Sequence, residues 1–114
     1  MKSGTRAAID GVLAIDRLVH EPARLAILTV LNQAQFAEFG FLEMACRLSK
    51  GNLSSHLSKL EAGGLVDIEK RFEGKRPQTR AAITPRGREA LAVYREHLKA
   101  LIDEVPAGAG GESQ

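Results

Sequence analysis

Residues 48–66, LSKGNLSSHLSKLEAGGLV, decide how the rest of this chain is read. Ser49 is a good helix N-cap, because its hydroxyl can accept from the unpaired N–H groups of a first turn. Gly63-Gly64 supplies the residue type that takes up the left-handed conformation closing a helix. The spacing therefore predicts a helix over about residues 50–62. Within it Leu53, Leu57 and Leu60 recur at spacings of four and three, which makes one buried stripe. The opposite face carries Lys50, Asn52, Ser55, His56, Ser58 and Lys59. An ordinary solvated face is richer in Glu and Lys paired four apart. This one is built of short and medium polar side chains with donors and acceptors, a composition that suits base edges and phosphates.

On the C-terminal side, residues 65–72 alternate, with Val66 and Ile68 on one face and Asp67, Glu69 and Arg71 on the other, as in a strand with one buried face. The polar stretch EGKRPQ, residues 73–78, makes a hairpin tip carrying Lys75 and Arg76, and residues 79–84 return as the second strand. Thr84 then caps and Pro85 starts a final helix. On the N-terminal side, residues 41–48 form a helix with Phe41, Leu42, Ala45 and Leu48 toward the core. The break Ser49-Lys50-Gly51-Asn52 makes the turn of a helix-turn-helix. Residues 36–40, FAEFG, form a short extended segment that pairs with the hairpin. A further helix starts at Pro22, where a missing N–H costs nothing, with Leu25, Ile27, Leu28 and Leu31 on its core face. A first helix over residues 6–19 has the wide apolar arc Ala8, Val12, Ile15 and Val19, wide enough for contacts both to its own domain and to a partner subunit.

SKGNLSSHLSKLEAGGLV, together with HEPARLAIL at residues 20–28 and ITPRG at residues 83–87, resembles the winged helix-turn-helix regulators of bacteria and archaea, broadly the MarR and ArsR families. ITPRG is similar to the LTPxG step that follows the wing in MarR-type proteins, and the pattern covers roughly residues 20–98. The resemblance implies a mostly α fold with a small β-hairpin wing (α+β), N- and C-terminal helices at a dimer interface, and double-stranded DNA as partner. It puts Ser49, Lys50, Asn52, Ser54, Ser55 and His56 in the contact region. There Asn52 suits a bidentate pair with adenine, Lys50 suits guanine acceptors or a phosphate, Ser54 and Ser55 suit either, and Lys59 suits the backbone. Arg71, Lys75, Arg76 and Arg80 suit the phosphate edge or the minor groove. The bland alternatives are that Ser54 packs, that Ser58 and Lys59 are merely solvated, and that His56 caps a local carbonyl. One departure is that Lys75 stands where MarR wings typically carry an acidic residue before the wing arginine. Pro77 also stiffens the tip.

Charge distribution supports the same region. Residues 47–80 hold eight basic against four acidic side chains, whereas the segments on either side are each net negative by one. Leu91, Tyr94, Leu98, Leu101 and Val105 follow at spacings of three, four, three and four, the repeat of a coiled-coil seam, which predicts a dimerisation helix; packing on the first helix is the competing use of that stripe. The organisation expected is an N-terminal helix over residues 1–19, a DNA-binding core over 20–84, a dimerisation helix over 85–105 and a disordered tail over 106–114, PAGAGGESQ.

Other classes find little support. A lone Cys46 excludes an internal disulfide and reads as a small core residue. His20, His56, His97 and Cys46 are too scattered for a metal site, and no cofactor motif is present. There is no Gly-rich phosphate loop and no Ser-His-Asp set, so no enzyme is expected. The lack of a long apolar run or a signal-type N-terminus implies a cytoplasmic protein with no membrane contact. The expected partners are DNA and a second copy of the chain. An unidentified small-molecule effector, or oxidation at Cys46, is a further possibility carried by some relatives. The rival reading is a winged-helix protein–protein interaction module without DNA readout.

Overall fold

Capping side chains fix where three of the helices begin. The computed structural model describes residues 3–13 and 17–108. Among these, the order of elements is α1 (Ser3–Leu13), α2 (Pro22–Leu31), β1 (Ala37–Glu38), α3 (Phe39–Cys46), α4 (Lys50–Ala62), β2 (Val66–Glu73), β3 (Arg76–Ile83) and α5 (Pro85–Ile102). The Glu21 carboxylate accepts from the backbone N–H groups of Ala23 and Arg24 to start α2, with Pro22 at its first position. Ser49 Oγ accepts from Asn52 N at 3.2 Å to start α4. Thr84 Oγ1 accepts from Gly87 N at 3.0 Å to start α5, and its hydroxyl donates to Gly64 O at 2.7 Å.

Burial holds these elements together. Ile27, Leu28 and Leu31 of α2, Leu42 of α3 and Leu53, Leu57 and Leu60 of α4 are buried against Leu65 before β2 and against Val66, Ala81 and Ile83 of the sheet, with Val19 and Tyr94 closing the cluster. At roughly 1.5–3 kcal/mol for each fully buried leucine, against about 1 kcal/mol for a cap, the three leucines of α4 dominate its attachment, while the cap decides its first residue. The sheet is antiparallel in the order β1-β3-β2, with Ala37 opposite Ala81 and Glu38 opposite Arg80, and with Val66 opposite Ile83 through to Glu73 opposite Arg76.

The ITPRG motif now has a physical meaning. Thr84 N donates to Leu65 O at 3.0 Å, so the end of β3 is tied to the residue that follows α4. A Cβ on Gly87 would lie 2.2 Å from Leu65 O and 2.7 Å from the Ile83 side chain, so only glycine lets the first turn of α5 come this close to that backbone. Threonine caps, proline fills the first helical position, and glycine makes room.

Several sequence expectations need adjustment. The turn between α3 and α4 is residues 47–49, with Arg47 in the left-handed region (φ 55°, ψ 46°), while Gly51 lies inside the first turn of α4. Capping by Ser49 forces this, since it starts the helix before the glycine is reached. The α3 helix begins at Phe39 rather than Phe41, and Phe41 and Ala45 face outward; Leu42 alone of that helix is fully buried. The hairpin tip is only Gly74 and Lys75, with Gly74 at φ 66°, the glycine-first turn that matches strand twist. The first helix is described over Ser3–Leu13, and Val19 sits in a turn, where it is nonetheless buried. Ile15, the side chain of Val12 and residues 109–114 lie outside the described residues.

Much of the C-terminal seam is used within the chain. The α1 helix packs along α5. Leu91 and Leu98 lean on the core, and Tyr94 is buried with its hydroxyl 3.3 Å from His20 Nδ1. Leu101 is half-buried, and Val105, beyond the end of α5, is exposed, as are Val93 and Ile102. The molecule measures 60 × 34 × 22 Å with a radius of gyration of 17.3 Å. A compact chain of this length would have about 13 Å.

Candidate nucleic-acid interface

The α4 helix presents to solvent the side chains that its leucine stripe leaves over. Lys50, Asn52, Ser54, Ser55, Ser58 and Lys59 are all exposed, as is Ser49 at the cap. The helix carries no carboxylate before Glu61. Its N-terminal amides and the positive end of its dipole therefore face the same solvent as Lys50, which favours an anion there. Lys59 lies in the last turn, where a cation complements the opposite end of the dipole.

His56 is placed differently. It is half-buried, with Nδ1 3.2 Å from an Arg24 guanidinium nitrogen and Nε2 4.0 Å from Glu21 Oε2. The same guanidinium donates to Leu18 O at 2.7 Å and to Arg17 O at 3.3 Å, so Arg24 ties the segment before α2 to α4. On the other side of that segment the Leu18 side chain fills the space where a Cβ on Gly63 would stand. For Glu21, burial pushes the carboxyl up, but the N–H groups of Arg24 and Ala23 and the charges of His56 and Arg24 outweigh it and hold the group below its ordinary value. Nothing in the sequence singled out Arg24; HEPARLAIL reads simply as a helix start.

The hairpin divides its basic residues into free and engaged ones. Lys70, Lys75 and Arg76 are exposed and make no ion pair among the described residues. Arg71 is exposed, 3.7 Å from Glu69. Arg80 is more enclosed, with Nε 2.7 Å from the Glu69 carboxylate and its guanidinium carbon 4.0 Å from the Phe36 ring centre. That contact joins the residue before β1 to the hairpin, a pairing no local pattern reveals. The inner face of the hairpin looks toward α4 across a hollow lined by Ser54, Ser58, Glu61, Ile68, Lys70 and Thr79.

Other chemistry is sparse. Among the described residues no group of His, Cys, Asp and Glu side chains is placed to hold a metal ion, and no helix is long and apolar enough to cross a membrane. Cys46 is half-buried, and burial pushes its thiol up, away from the reactive thiolate.

Comparison with known proteins agrees with the geometry. A winged helix DNA-binding domain model matches residues 23–102. The uncharacterized protein MJ0432 of Methanocaldococcus jannaschii is 35% identical over 78 residues, covering 68% of this chain and 85% of that one. Among solved structures, a transcriptional regulator homologue from Pyrococcus horikoshii OT3 superposes with a TM-score of 0.77 at 32% identity, over 85% of this chain and 95% of that one. A MarR family regulator from Silicibacter pomeroyi has a TM-score of 0.61 at 24% identity, over 91% of this chain and 69% of that one, a likeness of fold. With its polar α4 face, basic hairpin and capped Thr-Pro-x-Gly corner, the chain belongs to the winged helix DNA-binding domain family, whose members are not enzymes.

Proposed function

We propose that this protein is a homodimeric transcriptional regulator that reads an operator in double-stranded DNA, with α4 of each protomer in a major groove and the hairpin on the backbone or minor groove beside it. The observation that carries this reading is the exposed row Lys50, Asn52, Ser54 and Ser55, free of carboxylates, next to the unpaired cations Lys70, Lys75 and Arg76. Asn52 reads a base, Lys50 and Ser55 a base or phosphate, and Lys59, Arg71, Lys75 and Arg76 the backbone. His56 and Arg80 are engaged by their own chain, and we assign them to holding α4 and the sheet in position.

The second protomer covers the exposed Ile102 and Val105 and a groove of about 610 Å³ between α2 and α5, lined by Leu25, Thr29, Leu91, Leu98 and Ile102. Support comes from the elongated shape, which leaves an apolar arm that one copy does not cover. Two such helices reach half-sites about one helical turn apart.

The test is selection of bound duplexes from random and genomic DNA, followed by affinity measurements across a salt series. The reading expects an inverted repeat and a steep slope, with Lys75→Ala and Arg76→Ala each lowering that slope by about one. A flat slope with no enriched sequence refutes it and favours a module that docks protein.

A further inference from the structure

Phe72 is 70% exposed on β2, directly opposite Pro77 on β3 and two residues from the hairpin tip. Register fixes which way the pair faces. Side chains alternate along a strand, so Phe72 and Pro77 share a face with Lys70 and Thr79, with Ile68 and Ala81, and with Val66 and Ile83. The last two pairs belong to the core or lean on it. Lys70 and Thr79 line the hollow beside α4. Phe72 and Pro77 are the next step outward, on the side of the hairpin that α4 occupies, and both are left exposed among the described residues.

The surroundings select the occupant. Among the described residues Lys70, Arg71, Lys75 and Arg76 flank the pair, against Glu73; Glu69 is engaged by Arg80 and Arg71, Glu38 accepts from Gln78, and Glu61 stands across the hollow on α4. A second hairpin of the same charge would be repelled, whereas a polyanion with apolar sugar edges matches both features. Pro77 fixes its own φ beside the tip, so less order has to be imposed there on binding.

We propose that Phe72, backed by Pro77, is an apolar wedge that enters the DNA minor groove next to the major groove held by α4, packing on deoxyribose edges and opening a flexible pyrimidine–purine step. The inference rests on the DNA-binding reading above. Side chains of this kind kink the duplex and confer preference at positions where no base edge is read by hydrogen bonding. Phe72 thereby becomes a specificity-determining residue distinct from the cations around it.

The chain contains no tryptophan, so Phe72→Trp places a unique fluorophore at the tip. Titration with a selected duplex should shift and quench its emission, and end-labelled duplexes should report a bend by energy transfer. Phe72→Ala, in which an exposed side chain is removed and the fold is kept, should weaken specific binding about 5- to 100-fold, by analogy with base–aromatic stacking. It should also reduce the bend and leave the salt slope unchanged, because no charge is lost. Phe72→Leu should restore part of both effects. Wild-type affinity and bend in Phe72→Ala, or Trp emission indifferent to saturating DNA, would overturn the wedge while leaving DNA binding in place. Emission that shifts with protein concentration without DNA would overturn it in favour of a contact between copies. Failure of the unmodified protein to bind any duplex would remove both readings.

Discussion

Replacing Gly87 by alanine tests whether the Thr-Pro-x-Gly corner is a matter of close packing. The added methyl would sit 2.2 Å from Leu65 O, 2.7 Å from Ile83 Cγ1 and 3.1 Å from Leu65 C. Two of those atoms are backbone, so no side chain can swing away, and the corner itself has to open. Opening it costs about 1–3 kcal/mol for overpacking, and about 1 kcal/mol more if the Thr84 N to Leu65 O hydrogen bond is lost. Alanine returns about 1 kcal/mol of helix propensity, less in the first turn than in the middle of a helix. The net expectation is a loss of roughly 2–3 kcal/mol, equivalent to a fall of about 10 °C in Tm for a domain of this size. Urea and thermal denaturation followed by circular dichroism, at fixed protein concentration, would measure it. A variant as stable as the parent or more so would refute the close approach and leave propensity as the dominant effect at this position.

Three further outcomes follow from the same structure. Arg47→Gly should raise stability by about 0.5–1 kcal/mol in urea denaturation, because relief of the left-handed strain exceeds the added freedom of the unfolded chain; destabilisation would contradict the observed φ of 55°. The Glu21 carboxyl is held below its ordinary value in the folded state, so its contribution is present above the unfolded pKa and is lost as pH falls through the lowered folded one. Glu21→Gln should therefore flatten the decline of stability below about pH 5, and an unchanged acid limb would remove the argument. On a panel of single-base operator variants, Asn52→Ala should cost about 1–3 kcal/mol at one base position only; an equal loss on every sequence would count against Asn52 as a base reader.

Local chemistry made much of this fold legible. Ser49, the stripe Leu53, Leu57 and Leu60, and the glycine pair after Ala62 specify α4 to the residue, since cap, periodicity and stop signal agree. Thr84 and Pro85 likewise place the start of α5. Competing signals produced the misreadings. Gly51 looked like a turn residue, but the cap before it made it helical, and the strained turn position went to Arg47, which no propensity suggests. Pro77 reads as part of the hairpin tip, yet it lies within β3; β1 reaches only as far as Arg80, so this end of β3 has a neighbour on one side alone and tolerates a missing N–H. The candidate interface was legible as composition, namely which side chains α4 and the hairpin carry. Which of them are free was not, because the engagement of His56 by Arg24 and of Arg80 by Glu69 and Phe36 depends on residues 32, 11 and 44 positions away.

The way the hairpin is fastened has a consequence for how such a protein can diversify. Its hold on the domain lies at the base, where Thr84 bonds both Leu65 and Gly64 and where Val66 and Ile83 are buried. From Phe72 to Pro77 the side chains are exposed. The distal hairpin can therefore be recoded, lengthened or shortened by whole residue pairs with little effect on folding. An experimenter could exchange it between relatives as a cassette, retargeting the molecule without redesigning its interior.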